Sequence, residues 1–206
     1  MSETKLPSLA KRFRGYFPII VDVETGGFDA KTHALLEIAA VTVEMNEQGL
    51  LEPKKSFFYA TLPFAGAKLD PASLAFTGII PDHPFRMAVD EKQALTELFT
   101  SLKKEMKDAQ CKRCVLVGHN AAFDLSFINA ACERHKLKSI FHPFTTFDTA
   151  ALSALALGET VLASALAAAK LNFDNEQAHS ALYDAERTAE LFCFIVNRWQ
   201  ALGGWG

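Results

Sequence analysis

The stretch Phe17-Pro18-Ile19-Ile20-Val21-Asp22-Val23-Glu24-Thr25-Gly26-Gly27 decides how the chain is read. Phe17 to Val23 is apolar and β-branched and stops at Thr25-Gly26-Gly27, the pattern of a buried strand entering a turn, so a central place in a sheet is expected. Residues two apart in a strand share a face. Asp22 and Glu24 therefore project together, while Val21 and Val23 project to the other side. Two acids at the end of an apolar strand are costly, and structural acids in such places are normally single and paired with Lys or Arg. No basic residue occurs from Pro18 to Gly27, so the pair points to metal binding or catalysis rather than to a buried salt bridge.

Around that strand, Leu36 to Met45 reads as a second strand with a turn at Asn46 to Gly49, and a third is expected over about Lys55 to Leu62, as the start of a meander. Pro63 to Pro84 is rich in Pro, Gly and Asp and should be irregular, with at most short helices. From Asp90 to Lys107, Ala94, Leu95, Leu98, Phe99 and Leu102 recur at helical spacing. Val115 to Val117 predicts a short buried strand, after which Asn120 can cap a helix reaching about His135. The remainder reads as helical: Thr149 to Leu157, Val161 to Lys170, and Ser180 to Leu202. In the last of these, Leu182, Ala185, Ala189, Phe192, Val196 and Trp199 form an inward stripe. Strands first and helices later, with one strand-helix unit between, predict a three-layer α/β or α+β architecture.

With 206 residues, half of them apolar, the chain can bury the core of one domain spanning residues 1–206. Met1 to Lys5 is polar, and no later stretch approaches roughly 18 to 20 uninterrupted apolar residues, so a soluble cytoplasmic protein away from membranes is expected. Cys111-x-x-Cys114 lacks the second ligand pair of a zinc site, and Cys132 and Cys193 sit in apolar helical patterns as small core residues. The net charge of −3 argues against a nucleic-acid partner only weakly, because the basic residues are clustered. They gather at Lys11, Arg12 and Arg14, at Lys103, Lys104 and Lys107, at Lys112 and Arg113, and at Arg134, Lys136 and Lys138; any one cluster alone reads as a solvated face.

Two further acids share the logic of the first pair. Asp124 opens the helix after the strand Val115 to Val117, near the edge where open α/β sheets place their sites, although an acid there also simply complements the helix dipole. Asp184 lies in the first turns of the last helix. His179, five residues earlier, would not share a face with it if both were helical, so His179 is placed on the preceding loop, where a base can swing toward a water. At an effective dielectric near 20, two like charges about 4 Å apart repel by about 4 kcal/mol, so four carboxylates in one pocket require cations. Hard oxygen ligands select magnesium or manganese, and two such ions roughly 3.5 to 4 Å apart are a known device for phosphoryl displacement.

Asp22-Val23-Glu24-Thr25, His119-Asn120-Ala121-Ala122-Phe123-Asp124 and His179-Ser180-Ala181-Leu182-Tyr183-Asp184 resemble, in order, the three exonuclease motifs of the DEDDh, or DnaQ-like, family. The resemblance implies an α/β, RNase H-like fold with a mixed five-stranded sheet flanked by helices. It implies two Mg2+, with Mn2+ as a substitute, held by Asp22, Glu24, Asp124 and Asp184. It also implies 3′-to-5′ hydrolysis releasing nucleoside 5′-monophosphates, with His179 as the general base.

Lys11-Arg12-Phe13-Arg14-Gly15, Leu74-Ala75-Phe76-Thr77-Gly78-Ile79, Phe141-His142-Pro143-Phe144, Thr146-Phe147-Asp148-Thr149-Ala150-Ala151 and Val196-Asn197-Arg198-Trp199 are similar to a branch of that family which trims the 3′ ends of transfer RNA and other stable RNAs and degrades single-stranded DNA. That likeness implies that Phe28, Phe76, Phe123 and Phe144 stack on the terminal bases. It further implies a homodimer in which a basic surface of one subunit, with Arg12, Arg14, Lys107, Arg113 and Lys138 as candidates, guides RNA into the other's pocket. The branch carries an acidic side chain near the ring matching Phe76, where this chain offers Ala72 or Ser73. The competing readings are a proofreading or DNA-repair exonuclease of the same fold, and a non-catalytic RNA-binding module. The mark of the latter, a missing carboxylate or histidine, is absent from the motifs.

Overall fold

The computed structural model describes residues 8–204. Its centre is a five-stranded sheet in the order β3-β2-β1-β4-β5, built from β1 (Tyr16–Thr25), β2 (Leu35–Met45), β3 (Leu51–Ala60), β4 (Arg113–Gly118) and β5 (Phe141–Asp148). The first three strands form the expected antiparallel meander, and β4 and β5 run parallel to β1, so the sheet is mixed. Phe17, Ile19, Ile20 and Val21 are buried, as their apolar run predicts for a central strand.

The helices are α1 (Leu9–Arg12), α2 (Pro71–Thr77), α3 (Glu91–Asp108), α4 (Ala122–Arg134), α5 (Thr149–Leu157), α6 (Leu162–Ala168) and α7 (Ala181–Ala201), with a 3-10 turn at Pro84–Arg86. Successive side chains of a strand point to opposite faces. On β3, Lys55 reaches Glu105 of α3 while Ser56 reaches Glu186 of α7, so those two helices cover opposite faces of the sheet. Cys132 and Cys193 are buried in the main core, as their apolar surroundings predict.

Three elements differ from the reading of the sequence. β3 begins at Leu51 rather than near Lys55, because Glu52-Pro53-Lys54-Lys55 conceals an edge strand whose Pro53 and lysines are tolerated where one side lacks a partner. Local periodicity gives no sign of β5, which holds Pro143 and a register irregularity against β4. Asn120 does not cap α4: it adopts a left-handed φ of 71°, and α4 carries no side-chain cap of its own.

The apolar stretch Thr149–Ala168, with a mean hydropathy of 1.6, meets the length and composition of a membrane span. It is folded as two separate helices, α5 and α6, parted at left-handed Gly158. Little of it is buried, and with the end of α7 it contributes to an apolar groove of about 510 Å³ lined by Phe13, Phe147, Leu155, Phe192, Trp199 and Leu202. Trp199, placed inside by the helical stripe, is 53% exposed and belongs to this groove.

Candidate active site

The register of β1 explains why the acids meet where they do. Pairing of β1 with β4 ends at Ile20 opposite Val117, whereas pairing with β2 continues to Thr25, so the last residues of β1 run past the end of β4. There the chain turns at Gly118 into α4, and Asp124 in its first turn takes the place of a strand partner: Oδ1 accepts the Val23 N–H at 3.1 Å. Gly118 permits this approach. A Cβ at Gly118 would lie 3.0 Å from both Asp124 Oδ2 and the Ala121 Cα, one of them a backbone atom that cannot swing away. Gly118→Ala is therefore expected to displace Asp124, lowering stability by about 1 to 3 kcal/mol and cutting activity, as paired thermal melts and assays will show.

Asp184 arrives from α7. Its Oδ2 accepts the His179 N–H at 3.0 Å, so the carboxylate ties down the loop that carries the histidine, and His179 stands exposed with a left-handed φ of 67°. Oxygens of Asp22, Glu24 and Asp184 lie within 4.8 Å of one another. Asp124, bonded to Val23 N–H, lies close enough to Asp22 to act on it electrostatically, so acids from three separate stretches meet here, and among the described residues no lysine or arginine forms a salt bridge with any of the four.

Electrostatics agrees with the geometry. Burial pushes Asp22 well above the usual carboxylate range, and Asp124, Glu24, Asp184 and Glu37 push it further. Glu24 is pushed up to about 8, first by burial and then by Asp184 and Glu37. Burial likewise raises Asp124 well above its ordinary value against the hydrogen bonds it accepts, with Glu24 and Asp148 adding to the rise. Asp184 is raised by burial, with His179 and His119 pulling the other way.

Two further acids belong to this neighbourhood: Glu37 lies outside every motif, and Asp148 lies in the family-like segment Thr146 to Ala151, which assigns it no role. Glu37 pairs with Glu24 across β1 and β2 and accepts the Ala181 N–H at the start of α7 at 3.4 Å. Its place is visible only once the strand register is known. Asp148 ends β5 and accepts the N–H groups of Asn120 and Ala121. The signal for it was an acid directly ahead of a predicted helix start.

Beside the carboxylates lies a cleft of about 330 Å³ lined by Glu24, Phe28, Phe76 and Phe123. It is roofed by α2, which is docked on the end of β1: Asp70 donates its N–H to Gly26 O at 2.7 Å and caps Ala72 with its side chain. Phe76, 67% exposed, rests on the His179 ring with centroids 4.0 Å apart, and Phe28 meets Phe123 edge-on. Ala72 and Ser73 line the same cleft. Phe144 is not among its lining residues and packs edge-on against His142, which in turn meets Tyr16 at the other end of β1.

The basic candidates also gather away from the carboxylates. Arg113 pairs with Tyr16 at the start of β1, and exposed Arg14 precedes it by two residues. Exposed Lys107 and Lys138 flank β4 and β5 on that same side, at the end of α3 and just before β5. Eight residues of strand separate Tyr16 from Glu24, roughly 25 Å. Arg12 differs from the rest in being half-buried, with its guanidinium bonded to Gln200 Oε1 at 2.5 Å and to Val196 O.

A mixed sheet with four inward carboxylates at the end of its central strand, and a histidine poised beside them, defines a class. The chain belongs to the exonuclease family RNase_T, whose model it matches over residues 19–192, and it is a 3′–5′ exonuclease. It is 58% identical over 205 residues to the ribonuclease T of Vibrio parahaemolyticus serotype O3:K6 (strain RIMD 2210633), covering 98% of this chain and 96% of that one. The ribonuclease T of Vibrio campbellii (strain ATCC BAA-1116) matches at the same identity and coverage. Two solved structures share the fold. E. coli Exonuclease I with a dT13 oligonucleotide superposes with a TM-score of 0.69 at 16% identity, over 92% of this chain but only 43% of that one. The nuclease domain of 3′hExo bound to rAMP gives 0.65 at 18% identity, over 91% of this chain and 92% of that one. Family membership makes divalent-metal dependence a property of the enzyme.

Proposed function

We propose that this enzyme is a magnesium-dependent 3′-to-5′ exoribonuclease that trims the 3′ ends of transfer RNA and other stable RNAs, and that also removes nucleotides from single-stranded DNA. The observation carrying this is the convergence of Asp22, Glu24 and Asp184, with Asp124 beside Asp22 and with no Lys or Arg salt bridge to any of them among the described residues, in a chain 58% identical to ribonucleases T. These residues suit a pair of hard cations: Asp184 Oδ1 is buried and has no hydrogen-bond partner among the described residues, so it is an acceptor held ready for a positive ligand. Held by these residues, two cations would supply the positive charge needed to acidify a water and to stabilise the departing 3′ oxygen.

The chain's own residues do the rest. Asp22, Glu24, Asp124 and Asp184 hold the charge at the end of β1. His179, exposed on its loop and tethered through its N–H to Asp184, accepts the proton of the attacking water. Phe28, Phe76 and Phe123 offer ring faces to the last bases, and stacking contributes roughly 1 to 3 kcal/mol per base whatever its identity, which suits trimming of varied ends. Phe28→Ala is accordingly expected to raise KM for short single strands by about 5- to 150-fold with kcat less affected, measured on an oligonucleotide series. Phe144 joins this set only if the strand extends toward His142. With Ala72 and Ser73 in place of an acid, no charged group of α2 reads the terminal base edge.

The same reading includes a cytoplasmic homodimer. Arg14, Lys107, Arg113 and Lys138 lie too far along β1 to serve their own subunit's pocket, so they serve a partner's, and the largely exposed apolar face of α5 and α6 gives a second copy a surface to cover. Mixing an Arg14/Arg113 double variant with an Asp22→Asn variant is expected to restore part of the activity, because one hybrid site is intact. Stable heterodimers that show no recovery count against shared sites. Trimming a transfer RNA with an unpaired 3′ end faster than a mismatched DNA primer terminus supports the RNA reading, and the reverse preference favours a proofreading or repair enzyme.

A further inference from the structure

Asp148 accepts three backbone hydrogen bonds from two different strand-helix junctions. Its Oδ1 receives the Ala150 N–H at 2.9 Å, in the first turn of α5, and the Asn120 N–H at 3.2 Å; its Oδ2 receives the Ala121 N–H at 3.1 Å. The first of these bonds is an ordinary helix cap. The other two reach across to the turn between β4 and α4, which has no capping side chain of its own. Thr149 repeats the bridge one residue later: its hydroxyl donates to Gly118 O at 3.1 Å and lies 3.0 Å from His119 Nδ1. The β5–α5 junction is thereby bolted to every residue from Gly118 to Ala121.

That turn has a demanding task. It must pass through the left-handed conformation of Asn120 and deliver Asp124 so that Oδ1 meets the Val23 N–H while Oδ2 sits against Gly118. A residue in the left-handed region keeps that conformation because its surroundings hold it there. We propose that Asp148 is a positioning residue of the metal centre: by gripping Asn120 and Ala121 it sets where α4 starts, and so where Asp124 presents its carboxylate. Asp148 acts through Asp124 and does not touch the reacting atoms. The proposal rests on Asp124 being a ligand, and groups that orient ligands commonly change metal affinity by 10- to 100-fold when altered.

Asp148→Asn is the informative change, because it keeps the shape. One amide oxygen can still accept two of the N–H groups, but the amide nitrogen then faces the third, donor against donor. Asp90→Asn is the control: Asp90 caps α3 through the Lys92 N–H at 2.9 Å, with no bond into the β4–α4 turn. Mn2+ affinity measured by calorimetry on the metal-stripped full chain is expected to fall 10- to 100-fold in Asp148→Asn, with kcat reduced and KM for a single-stranded oligonucleotide within about twofold of wild type. Asp90→Asn, which keeps a capping oxygen for the Lys92 N–H, is expected to leave Mn2+ affinity unchanged. Wild-type Mn2+ affinity in Asp148→Asn, or an equal loss in Asp90→Asn, overturns the proposal while leaving the exonuclease reading intact. Unchanged Mn2+ affinity in Asp124→Asn overturns both. Should Asp148→Asn fail to fold, Thr149→Val removes the parallel bonds to Gly118 and His119, and wild-type Mn2+ affinity in that folded variant is equally decisive against the proposal.

Discussion

Asp124→Asn and His179→Ala are each expected to abolish metal-dependent release of mononucleotides while leaving the protein folded. The two variants fail for different reasons. His179 is exposed and its hydrogen bond to Asp184 is made by the backbone N–H, so deleting the imidazole keeps that bond, and the loss is that of a general base, about 10²- to 10⁴-fold. Asp124 is buried and its Oδ1 accepts from Val23, a bond that an asparagine oxygen can keep. What asparagine removes is a charge, and with it a ligand. Because that charge is buried among others of its sign, Asp124→Asn is also expected to melt higher than wild type in EDTA and lower than wild type in saturating metal. Full activity in either variant, in single-turnover assays on a 5′-labelled strand, refutes the assigned roles.

The second large effect is on stability as a function of pH. Burial raises Asp22, Glu24, Asp124 and Asp184, so without metal the folded protein holds protons that the unfolded chain releases at the ordinary carboxylate values. Groups raised in this way stabilise the fold fully below their unfolded values, and that contribution is lost as pH rises through the folded ones, for Glu24 at about 8. The melting temperature in EDTA is therefore expected to fall between pH 5 and 8, on the order of the carboxylate range just given, and Asp22→Asn is expected to flatten the fall. Cations reverse the sign, since they bind the ionised groups and displace the protons. At a cation concentration about 100 times Kd the gain is roughly 2.7 kcal/mol, or about 5 to 10 °C for a chain of this size, and it is expected to grow with pH. A metal-induced gain that shrinks as pH rises contradicts the pocket described above.

What the sequence could reveal followed from how local each signal is. Asp22 and Glu24 were legible because strand alternation puts them on one face and the missing basic residue is visible within ten positions. α3 and α7 were legible because their apolar spacing is regular. β5 was not: Pro143 and the irregular pairing beside it erase the alternation that marks a strand, so only the family resemblance supplied the fifth strand. Glu37 carries no local signal, and Asp148 stands in the sequence only as part of a family-like segment, because the importance of each depends on neighbours across the sheet, Glu24 for one and Asn120 and Ala121 for the other. The expectation that Asn120 caps α4 followed a sound local rule, but a distant carboxylate meets that need instead. The rings divide in the same way: Phe28, Phe76 and Phe123 reach one cleft because the turn after β1, α2 and α4 converge there, while Phe144 precedes the end of β5 by four residues and is left near Tyr16.

All of this depends on carboxylates from separate stretches of chain being assembled to trap cations. The most direct measurement is a crystal structure of the enzyme soaked in Mn2+, with anomalous scattering used to locate the ions. Two anomalous peaks roughly 3.5 to 4 Å apart, ligated by oxygens of Asp22, Glu24, Asp124 and Asp184, are predicted. A pocket in which those side chains are spread apart, or are bonded to lysine or arginine with no manganese between them, contradicts the account.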